Sequence, residues 1–287
     1  MNKITLIGID TAKQVFHLVG VDAHGHYVWR KRLSRRQLLS VLAQIACCEV
    51  VLEACGASHH WARCIKALGH TVRLIAPQHV KPYRRGQKND YRDAEAIIAA
   101  ALSPGMRFVG VKRVEQQAEQ ALHRVRSRLM SQRNAAGNEL RGLLGEYGVV
   151  FRQGLKPLRE GARCFAETEE AHTLGLVELV NDVLEEIGVL QARMDHYERL
   201  IEQRVQADET SRRLREELSG VGKLGASALR VKVADVHDFG GGRHFAAYLG
   251  LAPGHSGTGG QVHIGHLKRG HDRYLRQLLI HLSLIHI

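Results

Sequence analysis

The N-terminal part of the chain contains short apolar segments in an order that points to a mixed β-sheet. Three segments separated by short turns, ITLIGID, VFHLVGV and YVWRKRL, predict an antiparallel meander of strands. Two further strand-like segments, EVVLEA and TVRLIAP, alternate with the helical segments SRRQLLSVLAQIA, HHWARCIKALG and DYRDAEAIIAAAL. A meander followed by alternating helix and strand predicts an α/β domain.

A strong excess of positive charge makes a polyanion the expected partner. Lysine and arginine number 41 against 29 aspartates and glutamates, a formal net charge of +12. Basic side chains that contact phosphates release counterions, so this balance predicts nucleic-acid binding. No segment has the apolar length needed to span a bilayer, and MNKITLIGID leads into a strand without a cleavable signal. We therefore expect a cytoplasmic protein without a membrane partner.

The cysteines do not indicate a disulfide framework or a zinc site. There are five of them, an odd number, and no two have the C-x-x-C spacing. The histidines of HIGHLKRGH lack a cysteine or carboxylate at ligand spacing. We expect reduced, buried thiols and no zinc.

The middle of the chain predicts two long helices. The first runs from Val114 to about Tyr147 and ends at the segment RQGLKPLREG. Beyond it, apolar residues recur in steps of three and four, as in a coiled coil or helical hairpin: Val177, Val180, Leu184, Ile187, Leu190, Met194, Tyr197, Ile201 and Val205. This stripe can pack within the chain or form a dimer interface. We expect an α/β domain, a long-helix region and a small, mainly helical C-terminal domain at residues 1–113, 114–213 and 214–287.

Four acidic residues stand where they can meet. Asp10 and Glu53 end predicted strands, and open α/β sheets bind ligands at the carboxyl ends of their strands. Asp90 and Asp93 lie one turn apart on a predicted helix. Gathered carboxylates repel one another unless cations lie between them, and Mg²⁺ prefers such oxygen ligands. Two such ions would suit phosphoryl transfer on nucleic acid, with phosphates held by the basic run Lys81, Arg84, Arg85 and Lys88.

A structural explanation of the same acids stays open. Asp90 can cap its helix, and Asp93 is favourably placed near the helix dipole. Asp10 and Glu53 can simply end their strands. The joint arrangement of two strand-end acids, a helical acid pair and the adjacent basic run favours the metal site.

Several segments together resemble a known family. They are IGIDTAK, LEACGASHHWAR, IAPQHVKPYRRGQKNDYRDAEAI, SGVGKLGASAL, FAAYLGLAPGHSG and KRGHDRYLRQLL. In this order they resemble the DEDD transposases of the insertion sequence 110/1111 family. The resemblance implies a RuvC-like, ribonuclease H-type N-terminal domain whose Mg²⁺ ligands are Asp10, Glu53, Asp90 and Asp93. It also implies cleavage and rejoining of DNA strands.

The resemblance further implies a C-terminal hydroxyl nucleophile. The family has a serine followed by glycine after GLxP, and the matching stretch here is GLAPGHSGTGGQ. Ser256 fits the Ser-Gly pair, whereas Thr258 stands at the expected distance from Pro253. Ser256 is preferred because a primary hydroxyl is less hindered.

Other C-terminal segments suggest contacts with nucleic acid. The stretch KRGHDRYLR predicts phosphate contacts from Lys268, Arg269, Arg273 and Arg276, although a solvated helix face is almost as good an explanation. The segment LSGVGKLGASAL is similar to the glycine turn of a helix-hairpin-helix. It is not a dinucleotide motif, because a charged helical stretch precedes it. The family resemblance also implies a structured guide RNA from the same genetic element.

The functional expectation is a Mg²⁺-dependent DNA transposase or recombinase acting as a homo-oligomer, because strand exchange requires several active sites. The alternatives are a RuvC-like structure-specific nuclease and an inactive nucleic-acid-binding remnant. The chain stops at LLIHLSLIHI, within an apolar helical run where family members continue. We therefore expect a truncated C-terminal domain.

Overall fold

The computed structural model describes residues 3–84, 90–233, 236, 239–258, 261–267 and 273–284. The chain divides into two compact units. The first unit comprises Met1–Arg113 with Val233–Val236, and the second comprises Val114–Lys232 with His237–Ile287. The two units contain different kinds of structure.

The first unit is an α/β structure with one mixed sheet, as predicted. Its strands are β1 (Leu6–Thr11), β2 (Val15–Val21), β3 (Tyr27–Ser34), β4 (Glu49–Glu53), β5 (Thr71–Ile75) and β6 (Phe108–Val109). They lie in the order β3-β2-β1-β4-β5-β6. The pairs β1–β2 and β2–β3 are antiparallel, which confirms the predicted meander. The pairs β1–β4 and β4–β5 are parallel, and β6 pairs antiparallel with β5.

Helices cover both faces of this sheet. They are α1 (Leu38–Leu42), α2 (Ser58–Ala67), α3 (Pro77–Val80), a 3₁₀ turn (Lys81–Tyr83) and α4 (Asp90–Ala101). Because side chains alternate along a strand, each face has its own core. Ile7, Ile9 and Leu52 pack with Trp61 and Ile65 of α2 on one face. Leu6, Val19 and Val51 pack on the other face with the α4 residues Ala94, Ile97 and Ile98.

The second unit is mainly helical. Its helices are α5 (Val114–Gly145), α6 (Leu155–Ala166), α7 (Glu169–Thr173), α8 (Val177–Ala207), α9 (Glu209–Glu217), α10 (Lys223–Lys232), α11 (Gly242–Leu249) and α12 (Arg273–Leu284). The long helices α5 and α8 pack on each other, with Leu129 of α5 against Leu190 and Met194 of α8. The apolar stripe of α8 therefore contacts a helix of its own chain, which was one of the two alternatives.

The C-terminal part of this unit contains a β-hairpin that the sequence did not predict. Strand β7 (Pro253–Thr258) pairs antiparallel with β8 (Gln261–Leu267). The segment between α9 and α12 is therefore less uniformly helical than expected. A small core of Val221, Leu229, Leu249 and Leu275 joins its helices.

The expectation for the cysteines is wrong in part. All five thiols are free, as expected. Only Cys48 is buried, whereas Cys47 and Cys164 are exposed. Burial of Cys48 raises the pKa of its thiol to about 11. In the described part of the chain, no helix is both long and apolar enough to cross a membrane.

Candidate acidic site

Asp10 and Glu53 lie at neighbouring strand ends. In the parallel pair β1–β4, Ile9 is opposite Leu52, so Asp10 and Glu53 come next along the two strands. Just beyond them, Thr11 Oγ1 lies 3.1 Å from Cys55 Sγ, so the chain segments leaving the two strands stay in contact. The two acids thus stand at the same edge of the sheet.

Both acids belong to the face that α4 covers. Gly8 of β1 lies directly under α4, because a Cβ at this position would be 2.6 Å from the carbonyl oxygen of Ala94. Val51 of β4 packs in the core formed with α4. Residues two positions apart on a strand share a face, so Asp10 follows Gly8 and Glu53 follows Val51 on the α4 side.

The first turn of α4 lies near the end of β1. The ring of Tyr91 packs edge-on against His17, with 5.0 Å between the ring centroids. His17 is the residue paired with Asp10 in the β1–β2 ladder. Asp93 therefore lies on the helical turn that reaches the strand-end acids. Asp90 is the first residue of α4, and its side chain is outside the described part of the structure.

A single guanidinium joins two of the acids. Arg84 donates from Nη2 to Glu53 Oε2 at 2.8 Å, and its Nε lies 3.1 Å from Asp93 Oδ1. Glu53 and Asp93 come from different elements, β4 and α4, and both carboxylates are largely removed from solvent. Arg84 was predicted to bind phosphate, but here its charge is directed at the acids. Sequence reasoning missed this contact, because the order of residues does not show which way an arginine turns.

The described side chains do not complete a metal-binding set. Among them, no three histidine, cysteine, aspartate or glutamate side chains converge as ligands of one ion. The structure brings Glu53 and Asp93 together through Arg84 and puts Asp10 at the adjacent strand end. The donors are carboxylate oxygens, which suit a hard divalent cation, and they already bind a positive group.

The predicted phosphate-binding residues are only partly described. Lys81 lies in the 3₁₀ turn just before Arg84 and is exposed. Arg273 and Arg276 belong to the first turn of α12, where Arg273 is exposed and Arg276 is half-buried. Arg85, Lys88, Lys268 and Arg269 lie outside the described residues.

The two candidate nucleophiles lie on one strand. Ser256 of β7 is paired with His263, and Thr258 is paired with Gln261 near the end of the hairpin. Their side chains are outside the described part of the structure. The ladder fixes both positions within β7, two residues apart.

The second unit contains a buried polar network that the sequence did not predict. His123 of α5 contacts the hydroxyl of Tyr274 through Nδ1 at 2.9 Å and that of Ser227 through Nε2 at 2.7 Å. Ser227 in turn donates to Glu119, which also accepts from Arg230 at 2.6 Å. Because the single proton of Ser227 is given to Glu119, His123 must donate from Nε2 and accept at Nδ1 from Tyr274.

The buried surroundings of His123 keep its imidazole in the neutral form. Burial lowers the pKa of His123 to about 4, and the nearby charges of Arg126 and Lys232 act in the same direction. Helices α10 and α12 are thereby hydrogen-bonded to the middle of the second unit. A helically spaced set of polar residues on α5 was the available signal: Gln116, Glu119, Gln120, His123 and Arg126.

Two protein-family models match the chain. One, for DEDD transposases of the IS110 kind and described as Transposase, matches residues 7–149. The other, described as Transposase IS116/IS110/IS902 family, matches residues 212–287. The first match includes Asp10, Glu53, Asp90 and Asp93, and the second includes the β7–β8 hairpin and α12.

Curated relatives align over nearly the whole chain. A probable family 20 transposase of Pseudomonas aeruginosa is 46% identical over 280 residues, which cover 97% of this chain and 82% of the relative. The transposase for insertion sequence element IS1111A of Coxiella burnetii is 39% identical, covering 98% and 77%. The transposase for insertion sequence element IS1328 of Yersinia enterocolitica is 37% identical, covering 100% and 85%.

Proposed function

Because the chain belongs to the IS110/IS1111 family of transposases, we propose that it cuts and rejoins DNA strands by phosphoryl transfer. In this proposal the first unit is a ribonuclease H-like, RuvC-like domain. Its acids, Asp10, Glu53, Asp90 and Asp93, form the cation-binding part of the active site. The β7–β8 hairpin of the second unit supplies the attacking hydroxyl group.

The convergence of Glu53 and Asp93 on Arg84, beside the end of β1 where Asp10 lies, carries this proposal. If these acids served only to end strands and to begin a helix, their side chains would have no reason to lie close together. The strand order supports the ribonuclease H-like assignment. The meander β1–β3 lies on one side of β1 and the parallel strands β4 and β5 lie on the other.

The acidic residues supply negative charge where a cation is needed. Mg²⁺ bound there would stabilise the attacking and leaving oxygens of a phosphoryl displacement. Asp10 and Glu53 are positioned by the parallel ladder, and Asp93 is positioned by the packing of α4 at Gly8. Exposed Lys81 stands one turn before Arg84 and is a proposed phosphate contact. Arg85 and Lys88, which lie outside the described residues, are proposed phosphate contacts on the basis of the sequence alone.

The Ser256 hydroxyl is the proposed nucleophile. Its oxygen attacks phosphorus and loses its proton, and a phosphoserine bond forms. The bond from phosphorus to a deoxyribose oxygen breaks, and that oxygen takes up a proton to become a free hydroxyl group. Rejoining reverses this exchange on a second strand, so the cut end is stored on the protein instead of being lost to water. Thr258 is the alternative nucleophile on the same strand.

The proposal also includes the nucleic-acid partners of the chain and its assembly. DNA is the substrate, and Lys268, Arg269, Arg273 and Arg276 are the proposed phosphate contacts of the second unit. A structured guide RNA is implied by the family resemblance, and a homo-oligomer is expected because strand exchange requires several active sites. Cytoplasmic location, the coiled-coil assignment and the domain limits 1–113, 114–213 and 214–287 stay predictions.

A covalent-adduct assay tests the proposed reaction. DNA labelled on either strand and carrying the ends of the element is incubated with the chain and Mg²⁺, denatured, and examined for label that migrates with protein. We expect the adduct with the unchanged protein and its loss with Ser256→Ala, while Thr258→Ala retains it. Cleavage without any adduct would contradict the proposal and point to hydrolysis by a nuclease.

A further inference from the structure

Arg84 makes an unusual pair of contacts for a surface arginine. Two nitrogens of the same guanidinium reach carboxylates on two different elements, Glu53 at 2.8 Å and Asp93 at 3.1 Å. The guanidinium is charged at all relevant pH values and therefore acts as a permanent cation between the two acids. It binds one oxygen of each of the two carboxylates, Glu53 Oε2 and Asp93 Oδ1, that the proposed active site would offer to a divalent ion.

Arg84 and a divalent ion compete for these carboxylate oxygens, so each weakens the binding of the other. Mg²⁺ binds carboxylate oxygens at about 2.0–2.1 Å and demands near-ideal octahedral geometry, so it would compete directly for the oxygens that Arg84 holds. The positive charges of the ion and of the guanidinium also repel each other at such short distances. Competition for these oxygens and the repulsion between the two cations thus favour release of Arg84 from at least one carboxylate when the ion binds.

The position of Arg84 permits such a movement. Its side chain is 46% exposed, and it directly follows the 3₁₀ turn instead of packing in a core. A guanidinium that leaves the acids would remain near them and next to exposed Lys81. There it is suited to bind a phosphate group, because a planar fork of donors matches phosphate oxygens.

We infer that Arg84 is a displaceable counter-cation of the acidic site. It holds Glu53 and Asp93 together in the metal-free protein, leaves them when a divalent ion binds, and then becomes available to a phosphate of the nucleic acid. This inference rests on the proposed function, because it assumes that the acids bind a divalent ion. It adds that the chain carries its own competitor for that ion.

An arginine elsewhere on the same sheet provides a matched control. Arg73 of β5 pairs with Glu49 at 3.1 Å, and its side chain is 45% exposed. Glu49 begins β4, whereas Glu53 ends it, so this ion pair lies at the opposite end of the strand. Arg73→Gln removes the same charge from a similar ion pair without touching the acidic site.

The decisive measurement is calorimetric titration of the full chain with Mn²⁺ in the absence of nucleic acid. If Arg84 occupies the acids for about nine-tenths of the time, its removal raises the apparent affinity about tenfold. We expect Arg84→Gln to bind Mn²⁺ more tightly than the unchanged chain, while Arg73→Gln binds it equally. Arg84→Lys, which retains the charge on a single donor group, should lie between them.

Thermal unfolding supplies an independent measurement, in which Arg84→Gln should lower stability although it raises metal affinity. Without metal, Arg84→Gln leaves two neighbouring carboxylates without their counter-cation and should unfold at a lower temperature than the unchanged chain. Added Mg²⁺ should raise the unfolding temperature of Arg84→Gln more than that of the unchanged chain. An arginine that paired only with a carboxylate remote from the ion, as Arg73 does, would on removal lower stability without increasing metal affinity.

The outcomes separate the inference from the proposed function. Suppose that the unchanged chain binds Mn²⁺ and that Asp10→Asn removes this binding. Equal or weaker Mn²⁺ binding by Arg84→Gln would then overturn the inference but not the proposed function. Absence of Mn²⁺ binding in both the unchanged chain and Arg84→Gln would overturn the inference together with the proposed metal site. Should Arg84→Gln fold poorly, an Arg84→Lys affinity no higher than that of the unchanged chain would also overturn the inference.

Discussion

Gly8 sets how closely α4 approaches the sheet. A Cβ at this position would lie 2.6 Å from the Ala94 carbonyl oxygen and 2.6 Å from Cγ1 of Ile98. The first of these atoms belongs to the backbone, so a side-chain rotation cannot relieve the contact. This close approach brings the first turn of α4, with Asp93, to the end of β1.

We therefore predict that Gly8→Ala displaces α4 and destabilises the first unit. Overpacking of a core typically costs about 1–3 kcal/mol. Chemical denaturation followed by circular dichroism measures the change in unfolding free energy. Gly142→Ala on α5 is the control, because nothing lies within 4 Å of a Cβ there. A stability for Gly8→Ala equal to or above that of the unchanged chain would contradict this account.

The sequence predicted that Asp10 and Glu53 lie at strand ends, but it did not predict which residues contact the acids. Asp10 and Glu53 were identified because apolar strands end at them, and this depends on local sequence. The ion pairs of Arg84 depend on how three separate elements pack. Nothing in KPYRRGQK indicates that Arg84 faces Glu53 and Asp93 rather than solvent.

The polar network around His123 connects three helices of the second unit. It joins α5 to α10 and α12 through Ser227 and Tyr274. Because the pKa of His123 is lowered from 6.5 to about 4, the folded protein binds fewer protons than the unfolded chain between these values. Stability is therefore retained above about pH 6.5 and falls as the pH decreases toward about 4.

We predict that His123→Gln weakens the acid sensitivity of folding. For the unchanged chain, this single histidine should account for about 2 kcal/mol of lost stability between about pH 7 and about pH 5. Urea unfolding at both pH values, compared between the unchanged chain and His123→Gln, measures this contribution. His172→Gln, at an exposed histidine of the same unit, should leave the pH dependence intact. Equal pH dependence in all three proteins would show that His123 does not titrate as described.

Sequence patterns reveal helices at this scale better than they reveal buried surfaces. The long helices α5 and α8 were predicted by periodicity, and most of the apolar stripe on α8 is buried within the chain, which was one of the two arrangements left open. The polar stripe of α5 resembles a solvated face in sequence, yet Glu119 and His123 are buried. Their partners lie on helices about a hundred residues away, which local periodicity cannot show.

The whole molecule carries a net charge of +12, which should make its binding to DNA depend on salt. The five longer strands of the first unit were predicted from the sequence, because each is a distinct apolar segment, whereas the two-residue strand β6 was not. The β7–β8 hairpin did not, since GHSGTGGQ is rich in glycine and lacks the apolar alternation of a half-buried strand. The family resemblance found this segment by motif, and the family matches confirm the resemblance.

We predict that Arg273 contributes one phosphate contact to DNA binding. Removing one such contact should make the slope of log affinity against log salt less steep by about 0.9. The slope is measured on duplex DNA for Arg273→Ala and for Arg213→Ala. Arg213 is the control because it is paired with Glu217 at 2.9 Å on its own helix. Equal slopes for Arg273→Ala and the unchanged chain would remove Arg273 from the proposed interface.

In the proposed active site, acids from β1, β4 and α4 share one divalent ion. Fe²⁺-directed hydroxyl-radical cleavage of the protein tests this directly, because the radical cuts the backbone near the bound metal. The account predicts fragments that end near residues 10, 53 and 90–93 and that disappear when Mg²⁺ competes. Cuts confined to one of these segments, or cuts that excess Mg²⁺ does not suppress, would contradict a shared site.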